Sequence, residues 1–351
     1  MEKTKVLSQT IFLQTHLALS IFGKVAGAVS AGVKLLAVEA LRFLVFKVDM
    51  KHAYLILAHH EPEVLRLLLT LLDDARNDIY LHIDGRAQRL YEQFEYWQPQ
   101  SARFFLLSQR VKPEWGQVSI VRAELLLFSA ALQQKSPYAY YHLLSGVDLP
   151  LKSQDEIHAF FAKHQGKEFL HCGFDDASMC VAFKRVSRHY LFLRALCKRK
   201  KALSEVFKKI LSKSVLGVEK IARYRRYSLK QKFYYGSQWG SFTHDFCEYL
   251  VKHSDEVLDT FSHTFCPDEL YKQTVIMSSP FAERLYAKNA VSNECTQRFI
   301  DWSREKDGHP HIFDSEDYDL LVNSPYMFAR KFSSHHPQLL KLWYDRLSKK
   351  K

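Results

Sequence analysis

Three short segments in the second half of the chain carry side chains suited to act together on a diphosphate group. Gly236–Trp239 (GSQW) and Pro267–Glu269 (PDE) each precede a predicted helix, and Phe328–Phe332 (FARKF) places Arg330 and Lys331 between aromatic rings. A carboxylate at a helix start can take the proton from an attacking hydroxyl, and two adjacent cations can stabilise the charge on departing phosphates. Together the three segments indicate displacement of a diphosphate leaving group.

Each of these segments also has a purely structural explanation. Asp268 and Glu269 are favoured in the first turn of any helix because they interact with its dipole, and Arg330 with Lys331 is typical of a solvated surface pair. The sequence has no Gly-x-Gly-x-x-Gly, Walker, His-Glu-x-x-His or Gly-x-Ser-x-Gly motif to decide between the two explanations.

Polar residues follow three predicted strands. They are His59–Glu61, Asp84 with Gly85, and Ser145–Asp148. Ligands of α/β sheets bind beyond the carboxyl ends of parallel strands, so these residues are expected at one site. His59–Glu61 lacks the spacing of a metal-binding helix face and is more typical of a strand end with one residue buried. Asp84 taken alone is equally compatible with capping the next turn.

The elements that must position these residues alternate between strands and helices from residue 51 onward. The predicted strands are Ala53–Ala58, Asp78–Asp84, Arg103–Leu107 and Tyr138–Leu144. The predicted helices are Val64–Leu72, Ser119–Gln134, Ser153–His164, Leu270–Met277 and Pro337–Leu347. Such alternation predicts an α/β fold with a largely parallel sheet and helices on its faces.

Composition places the chain among ordinary globular proteins. It has 351 residues, 47% of them hydrophobic and 25% charged, with 12 Gly and 10 Pro, which excludes collagen-like and wholly disordered classes. Six cysteines without Cys-x-x-Cys or zinc spacing exclude a disulfide scaffold. They are expected to be reduced thiols, and scattered disulfides are the alternative, because sequence does not fix pairing.

Residues 1–50 are predicted to form a helical extension. Val6–Gly23 is free of formal charge and is long enough to approach a membrane span, but seven polar residues interrupt it. The extension is therefore expected either to pack on the body or a partner chain, or to lie in a membrane interface as an amphipathic helix.

The segment 184–232 is strongly basic. It contains seventeen Lys or Arg against two acids, a charge of +15 within a chain of formal net charge +12. Such a segment predicts a polyanionic partner, either anionic lipid, nucleic acid or an acidic polymer. Apolar residues recur at helical spacing within Leu191–Ile210, which favours a helix on an anionic membrane surface over nucleic-acid binding.

The order of several sequence blocks resembles one known family. The blocks are AYLILAHHEPEVLRLLLTLL, IYLHID, EWGQVSIVRAELLLFSAAL, YYHLLSGVDLPLKSQDEIHAFF, YGSQWGSFTHDFCEYL, PDELYKQTVIM and FARKF, between about His52 and Phe332. The chain is similar to the core-2/I-branching family of inverting glycosyltransferases, glycosyltransferase family 14, which includes β-1,6-N-acetylglucosaminyltransferases and peptide O-xylosyltransferases. It looks like a compact bacterial member.

The resemblance implies a GT-A-like glycosyltransferase domain over residues 51–351, a mixed α/β fold whose sheet binds a UDP-sugar at its strand ends. It implies that no metal or other cofactor is used, because basic side chains replace the Asp-x-Asp motif of most GT-A enzymes. Asp84 is accordingly followed by Gly85 and Arg86 with no second acid. Single displacement would give a β-linkage from an α-linked donor.

The resemblance also assigns roles to individual residues. It implies that Glu269 is the catalytic base and that Arg330 and Lys331 bind the diphosphate. The other positions it implies in substrate binding are Leu57 and Asp84 at the nucleoside, Trp115 at the donor, and Asp148, Gln238 and Trp239. Asp268 and Asp148 are the alternative bases.

The expected reaction is transfer of a sugar, with N-acetylglucosamine first, to a hydroxyl of a glycan or a lipid-linked saccharide. The xylosyltransferase branch carries Asp where this chain has Gln238, which weakens the alternative of peptide O-xylosylation. A non-catalytic glycan- or nucleotide-binding relative is the other alternative. The resemblance and the basic segment together predict a peripheral membrane protein on the cytoplasmic face, with no nucleic-acid partner.

Overall fold

A computed structural model describes residues 51–187, 232–288 and 290–348. The predicted N-terminal extension 1–50 lies outside the described residues. Most of the predicted basic insert 184–232 lies outside them as well, so its expected helix and membrane contact stay predictions. Among the described residues no helix combines the length and the apolar character needed to cross a bilayer.

Eight strands form two sheets in the described part of the chain. They are β1 His52–Ala58, β2 Asn77–Ile83, β3 Arg103–Leu106, β4 Tyr140–Ser145, β5 Leu149–Pro150, β6 Gly240–Phe242, β7 Arg298–Ile300 and β8 Phe328–Arg330. The larger sheet has the order β3-β2-β1-β4-β6. Its first four strands are parallel, and β6 runs antiparallel to β4. The predicted α/β fold with a mixed, largely parallel sheet is therefore confirmed.

Eleven α-helices lie in the described ranges. They are α1 Pro62–Leu71, α2 Gln88–Phe94, α3 Ser119–Leu132, α4 Gln154–Lys163, α5 Asp176–Val186, α6 His244–Lys252, α7 Ser254–Phe261, α8 Tyr271–Met277, α9 Ser292–Thr296, α10 Tyr318–Asn323 and α11 Pro337–Ser348. Short 3-10 helices add Pro267–Glu269, Pro280–Arg284 and Ser315–Asp317.

Helices cover both faces of the larger sheet, as predicted. Successive side chains of a strand point to opposite faces. Along β1, Tyr54 and Ile56 join the buried cluster that contains the leucines of α1, whereas Ala53 and Leu55 join the cluster that contains the apolar residues of α3. Burial on both sides explains why the strand is an almost unbroken apolar run.

The smaller sheet is joined to the turn after β4. In the order β5-β8-β7, β8 is antiparallel to β5 and parallel to β7. The amide of Phe332 donates to the carbonyl of Val147 at 3.0 Å, and the indole of Trp343 in α11 donates to the carbonyl of Pro150 at 2.8 Å. The C-terminal elements therefore hold β8 against the segment that follows β4.

Three histidines from β1, β4 and α4 pack together. His52 Nδ1 lies 3.0 Å from His142 Nε2, and the His52 ring stacks on His158 of α4 at 3.9 Å between centroids. His158 Nε2 lies 2.8 Å from Asn77 Oδ1. Burial lowers the pKa of all three imidazoles, that of His158 to about 4. The folded protein therefore holds them neutral at pH 7.

Several predicted boundaries are corrected by hydrogen bonding. Ser153 is the N-cap of α4 and not its first residue, because its side chain and that of Glu156 form a capping box. Gly236–Trp239 leads into β6 and only then into α6, so the predicted helix directly after it is wrong. The predicted helix Leu270–Met277 is α8, with Leu270 outside it. Cys172, Cys180, Cys247 and Cys295 are free thiols.

Candidate active site

The carboxyl ends of β1, β2 and β4 bring the three predicted strand-end segments together. The amide of Asp84 donates to the carbonyl of Ala58 at 2.9 Å, and that of Gly146 donates to the carbonyl of Leu57 at 2.8 Å. A Cβ added to Gly146 would lie 2.9 Å from the Cβ of Ala58, so only glycine permits this approach. Leu57, Asp84 and the turn before Asp148 thus line one edge.

The Asp84 carboxylate accepts hydrogen bonds from Arg86 at both of its oxygens. Its Oδ1 accepts from the Arg86 amide at 2.8 Å and from Nε at 3.0 Å, and its Oδ2 accepts from Nη2 at 2.6 Å. Burial alone would raise the pKa of this carboxyl, but the bonds from Arg86 outweigh burial and lower it. Asp84 is ionised and both caps the turn and fixes Arg86 at the strand end.

Asp148 lies buried in the next strand-end turn. Its carboxylate accepts from the Ser145 amide at 3.0 Å and from the Ser145 hydroxyl. Its Oδ1 lies 3.6 Å from Nε of Arg330, the last residue of β8. The turn of the larger sheet and the cationic end of the smaller sheet therefore face each other.

Arg330 and Lys331 stand in a partly dehydrated setting. The Arg330 guanidinium carbon lies 4.5 Å from the centroid of the Trp239 ring, within cation–π range. Burial lowers the pKa of Arg330, and Asp148 opposes this shift. Burial and the neighbouring Arg330 lower the pKa of Lys331, and Glu61 opposes that shift. The two cations are held side by side with one carboxylate close to each.

His59 and His60 lie exposed beside this cation pair, so the expectation that one of them is buried is wrong. Their rings stack at 4.0 Å between centroids. Desolvation, the neighbouring His60 and the charge of Lys331 lower the pKa of His59 to about 4, although Asp84 opposes them. The carboxylate of the next residue, Glu61, accepts from the Ser333 hydroxyl at 2.7 Å and from the Ser334 amide at 2.8 Å.

Glu269 ends the 3-10 turn Pro267–Glu269 with its side chain 33% exposed. Its Oε2 accepts from Nη1 of Arg185 at 2.6 Å. Among the described residues no hydrogen-bond donor meets its Oε1. Arg185 was counted with the basic insert in the sequence, yet its guanidinium lies between the rings of Tyr235 and Phe265 at 4.9 and 5.6 Å and faces this carboxylate.

Trp115 flanks the same turn. Its ring is 65% exposed and meets the edge of Phe265 at 5.4 Å between centroids. The carbonyl of the following Gly116 accepts from the amide of Cys266 at 3.0 Å, and Gly116 has a φ of 75° that favours glycine. The predicted donor-site tryptophan and the predicted base are therefore neighbours.

The segment Gly236–Trp239 connects the predicted base with the predicted cations. At one end, the amide of Gly236 donates to the carbonyl of Glu269 at 2.9 Å. At the other end, Trp239 underlies Arg330. The segment thus connects the turn of Glu269 with Arg330.

Sequence reasoning missed a buried network under this segment. Glu124 of α3 is fully buried, and its carboxylate accepts from Gln238 Nε2 at 2.8 Å, from the Tyr271 hydroxyl at 2.6 Å and from Nζ of Lys272. The one signal in the sequence was an isolated acid within the apolar stretch of α3. Asp268, an alternative base, is buried here too, and burial with the nearby Glu269 and Glu124 raises its pKa to about 7.

Metal-ligating side chains do not cluster in the described ranges, where no group of three or more His, Cys, Asp or Glu is placed to hold an ion. The anionic groups at the strand ends are instead paired with arginine, as Asp84 is with Arg86 and Asp148 with Arg330.

Comparison with known proteins fits this arrangement. The family model described as Core-2/I-Branching enzyme matches residues 52–321, which is most of the chain. The chain belongs to this family. Membership confirms the resemblance predicted from the sequence blocks. The matched range contains β1, the strand-end segments and Glu269, and it ends before β8.

The curated relatives of this Core-2/I-branching chain include several xylosyltransferases. Xylosyltransferase 2 of Rattus norvegicus is 25% identical over 328 residues, covering 89% of this chain and 35% of that protein. Xylosyltransferase 1 of Rattus norvegicus is 23% identical over 271 residues, covering 73% and 30%. A Ciona intestinalis xylosyltransferase is 22% identical over 300 residues, covering 80% and 32%. The chain spans about a third of the length of these relatives.

Among solved structures, apo mouse xyloside xylosyltransferase 1 aligns with 81% of this chain and 99% of its own length, at a TM-score of 0.36 and 9% identity. At this TM-score and identity, no residue role is carried over from that structure to the Core-2/I-branching chain.

Proposed function

We propose that the chain is an inverting glycosyltransferase that moves a sugar from a UDP-sugar to a hydroxyl of a glycan or glycolipid. The observation that carries the proposal is the connection made by Gly236–Trp239, which ties Glu269 to Arg330 and Lys331. A base and a pair of cations connected through one segment are what a single displacement at an anomeric carbon requires.

The proposed step runs as one displacement. Oε1 of Glu269 takes the proton of the acceptor hydroxyl while the oxygen of that hydroxyl attacks the anomeric carbon of the donor sugar. The bond from this carbon to the β-phosphate oxygen breaks with its electron pair, and UDP leaves. Arg330 and Lys331 stabilise the charge that develops on the diphosphate. Attack opposite the leaving group inverts the anomeric configuration.

The arrangement of charges supports a metal-independent reaction. Both Asp84 oxygens accept hydrogen bonds from Arg86, which leaves this strand-end carboxylate matched to a guanidinium. The charge proposed to meet a diphosphate is that of Lys331 together with Arg330, which is 3.6 Å from Asp148 and makes no hydrogen bond through its Nε to any described residue. We propose that these two cations take the place that a divalent ion fills in other nucleotide-sugar enzymes.

The proposed donor is UDP-N-acetylglucosamine, and UDP-xylose is the second candidate because the relatives are named xylosyltransferases. The proposed acceptor is a glycan or lipid-linked saccharide. Peripheral binding to an anionic membrane through 184–232, on the cytoplasmic face, is part of the same proposal and rests on the charge of that segment.

Calorimetric titration in excess EDTA tests the proposal. UDP and the UDP-linked forms of N-acetylglucosamine, xylose, galactose and glucose are each titrated, and transfer of the preferred sugar is then assayed. Micromolar binding with one preferred sugar, followed by an inverted product, is expected. Binding only after Mn²⁺ is added would contradict the role given to Arg330 and Lys331. Binding without any transfer or hydrolysis would favour a non-catalytic nucleotide-binding protein.

A further inference from the structure

The buried carboxylate of Glu124 collects three donors from two segments that form the proposed site. Gln238 approaches from Gly236–Trp239, whereas Tyr271 and Lys272 approach from the start of α8. Nζ of Lys272 also donates to the carbonyl of Asp268 at 3.2 Å. The network therefore lies directly behind the turn that ends at Glu269.

A buried ion pair is a costly way to stabilise a fold. The side chains of Glu124 and Lys272 are both completely shielded from solvent. Desolvating two charges costs several kcal/mol per ion, and well-packed apolar residues often replace such a pair without loss of stability. The pair therefore needs an explanation other than stability. We look for it in Gln238, the neutral amide side chain that is bonded to Glu124.

Glu124 determines which way the amide of Gln238 points. An ionised carboxylate accepts hydrogen bonds and cannot donate them, so Gln238 must turn Nε2 toward it, as the 2.8 Å contact shows. Its carbonyl oxygen Oε1 then points away from the network. Within the described ranges no donor reaches this oxygen, and the side chain is only half-buried.

The free carbonyl lies in the region where a substrate is proposed to bind. Gln238 lies two residues after Gly236, which is bonded to the backbone of Glu269, and directly before Trp239, which underlies Arg330. Gln238 therefore lies between the contact of this segment with Glu269 and its contact with Arg330. The hydroxyls of a sugar are the hydrogen-bond donors expected there.

We propose that Glu124 and Lys272 are positioning residues that hold the amide of Gln238 so that its carbonyl oxygen accepts a hydrogen bond from a sugar hydroxyl. This inference rests on the proposed function. The hydroxyl belongs either to the donor sugar or to the acceptor, and the assay below separates the two sources. Gln238 thereby selects a substrate with a hydroxyl at that place, because a sugar without it leaves the carbonyl unpaired.

Three variants test the orientation of the amide. Q238L removes the acceptor oxygen. E124Q offers the amide a donor in place of an acceptor, so Gln238 turns its nitrogen to the substrate. The double variant E124Q/Q238E restores an outward oxygen at position 238. In it, the amide introduced at position 124 donates to the inner oxygen of the carboxylate introduced at position 238, while the carbonyl of that amide accepts from Tyr271 and Lys272.

The readouts are the affinities for UDP and UDP-sugar and the KM values for UDP-sugar and for p-nitrophenyl galactoside as acceptor. Q238L and E124Q are each expected to raise one KM about tenfold, equivalent to one hydrogen bond, while UDP affinity stays unchanged. A change in the UDP-sugar values assigns the hydroxyl to the donor, and a change in the galactoside KM assigns it to the acceptor. E124Q/Q238E is expected to recover most of the loss.

Two results would overturn the inference while the proposed function stands. One is an active wild-type enzyme whose two KM values change less than twofold in Q238L. The other is a folded E124Q/Q238E variant that is no better than E124Q. Should E124Q fail to fold, Q238L still tests the proposal because it leaves the buried Glu124–Lys272 pair intact. A wild-type chain that uses none of the five UDP ligands contradicts the proposed function itself.

Discussion

Glu269 presents two carboxylate oxygens in different settings. Oε2 is bonded to Arg185 at 2.6 Å, and Oε1 has no donor among the described residues. One oxygen therefore anchors the side chain, and the other is available to take a proton. This division of roles fits a base whose direction is fixed before the acceptor arrives.

Replacing Glu269 separates catalysis from binding. Glu269→Gln keeps the side-chain shape and an oxygen for Arg185 but removes the base, so transfer is expected to fall about 10²-fold or more. UDP affinity, measured by calorimetry, is expected to stay unchanged. Glu283→Gln, at an exposed acid paired with Lys288, is the matched control and should retain full activity. Normal turnover in Glu269→Gln would move the base to Asp268 or Asp148.

Lys331 is expected to act on phosphate and not on the nucleoside. Lys331→Ala should weaken binding of UDP about tenfold or more while uridine affinity changes little, since charge-assisted bonds to phosphate are the stronger kind. Lys341→Ala, at an exposed lysine of α11, is the control. An equal loss for UDP and uridine would show that Lys331 supports the fold and does not contact the diphosphate.

Patterns in the local sequence singled out several residues of the candidate site. Asp84 directly follows β2, Asp148 lies in the turn after β4, and Arg330 with Lys331 stands between Phe328 and Phe332. Glu124 and Lys272 were missed because their meeting joins residues 148 positions apart, and nothing in the local sequence of either indicates the other. Pairs of this kind depend on how α3 packs beside α8.

Among the elements, the segment Gly236–Trp239 has little space for a larger side chain at its first residue. A Cβ on Gly236 would lie 1.9 Å from the carbonyl oxygen of His171, which is backbone and cannot rotate away. The segment contacts Glu269 through Gly236 and Arg330 through Trp239, so any shift of it moves Glu269 relative to Arg330.

Gly236→Ala is therefore expected to cost about 1–3 kcal/mol in the free energy of unfolding and to lower transfer at least tenfold. Gly308→Ala is the control, because nothing lies within 4 Å of its added Cβ and only its φ of 76° opposes the change. That backbone effect costs about 1 kcal/mol and leaves activity unchanged. Chemical denaturation and the transfer assay check both variants. Full activity in Gly236→Ala would separate this segment from catalysis.

Element prediction succeeded for long apolar patterns and failed for short strands. β1, β2, β4 and α3 have enough periodic residues to be recognised. β5, β7 and β8 have two or three residues each, and their pairing is set by contacts with distant chain segments. The smaller sheet, which carries the cations, was therefore absent from the prediction although its FARKF block was not.

At the scale of the whole molecule, the buried histidines link folding to pH. Their pKa values in the folded state lie below the unfolded value of about 6.5. Their contribution to stability is complete above pH 6.5 and is lost as pH falls from there toward about 4, because the unfolded chain takes up the protons. Glu168 and Asp268, whose pKa values burial raises to about 7, act in the opposite direction over this range.

His158→Gln removes one titrating imidazole and leaves Glu168 and Asp268 in place. The amide of Gln can still donate a hydrogen bond to Asn77 Oδ1. Between pH 6.5 and 4.5 the wild-type free energy of unfolding is expected to fall more steeply than that of the variant, by up to about 1.4 kcal/mol per pH unit. Denaturant titrations at several pH values measure both slopes. Equal slopes would mean that His158 does not exchange its proton on unfolding.

The join between β8 and the turn after β4 sets an order of events during synthesis. Ribosomes make the chain from its N-terminus, so the strand ends carrying Leu57, Asp84 and Asp148 emerge long before the cations. The carbonyls of Val147 and Pro150 gain their hydrogen-bond donors only when Phe332 and Trp343 have been synthesised. On the proposed function, a nascent chain halted before residue 328 still lacks the two cations proposed to bind the diphosphate. The proposed diphosphate site is therefore completed only in the final stretch of translation.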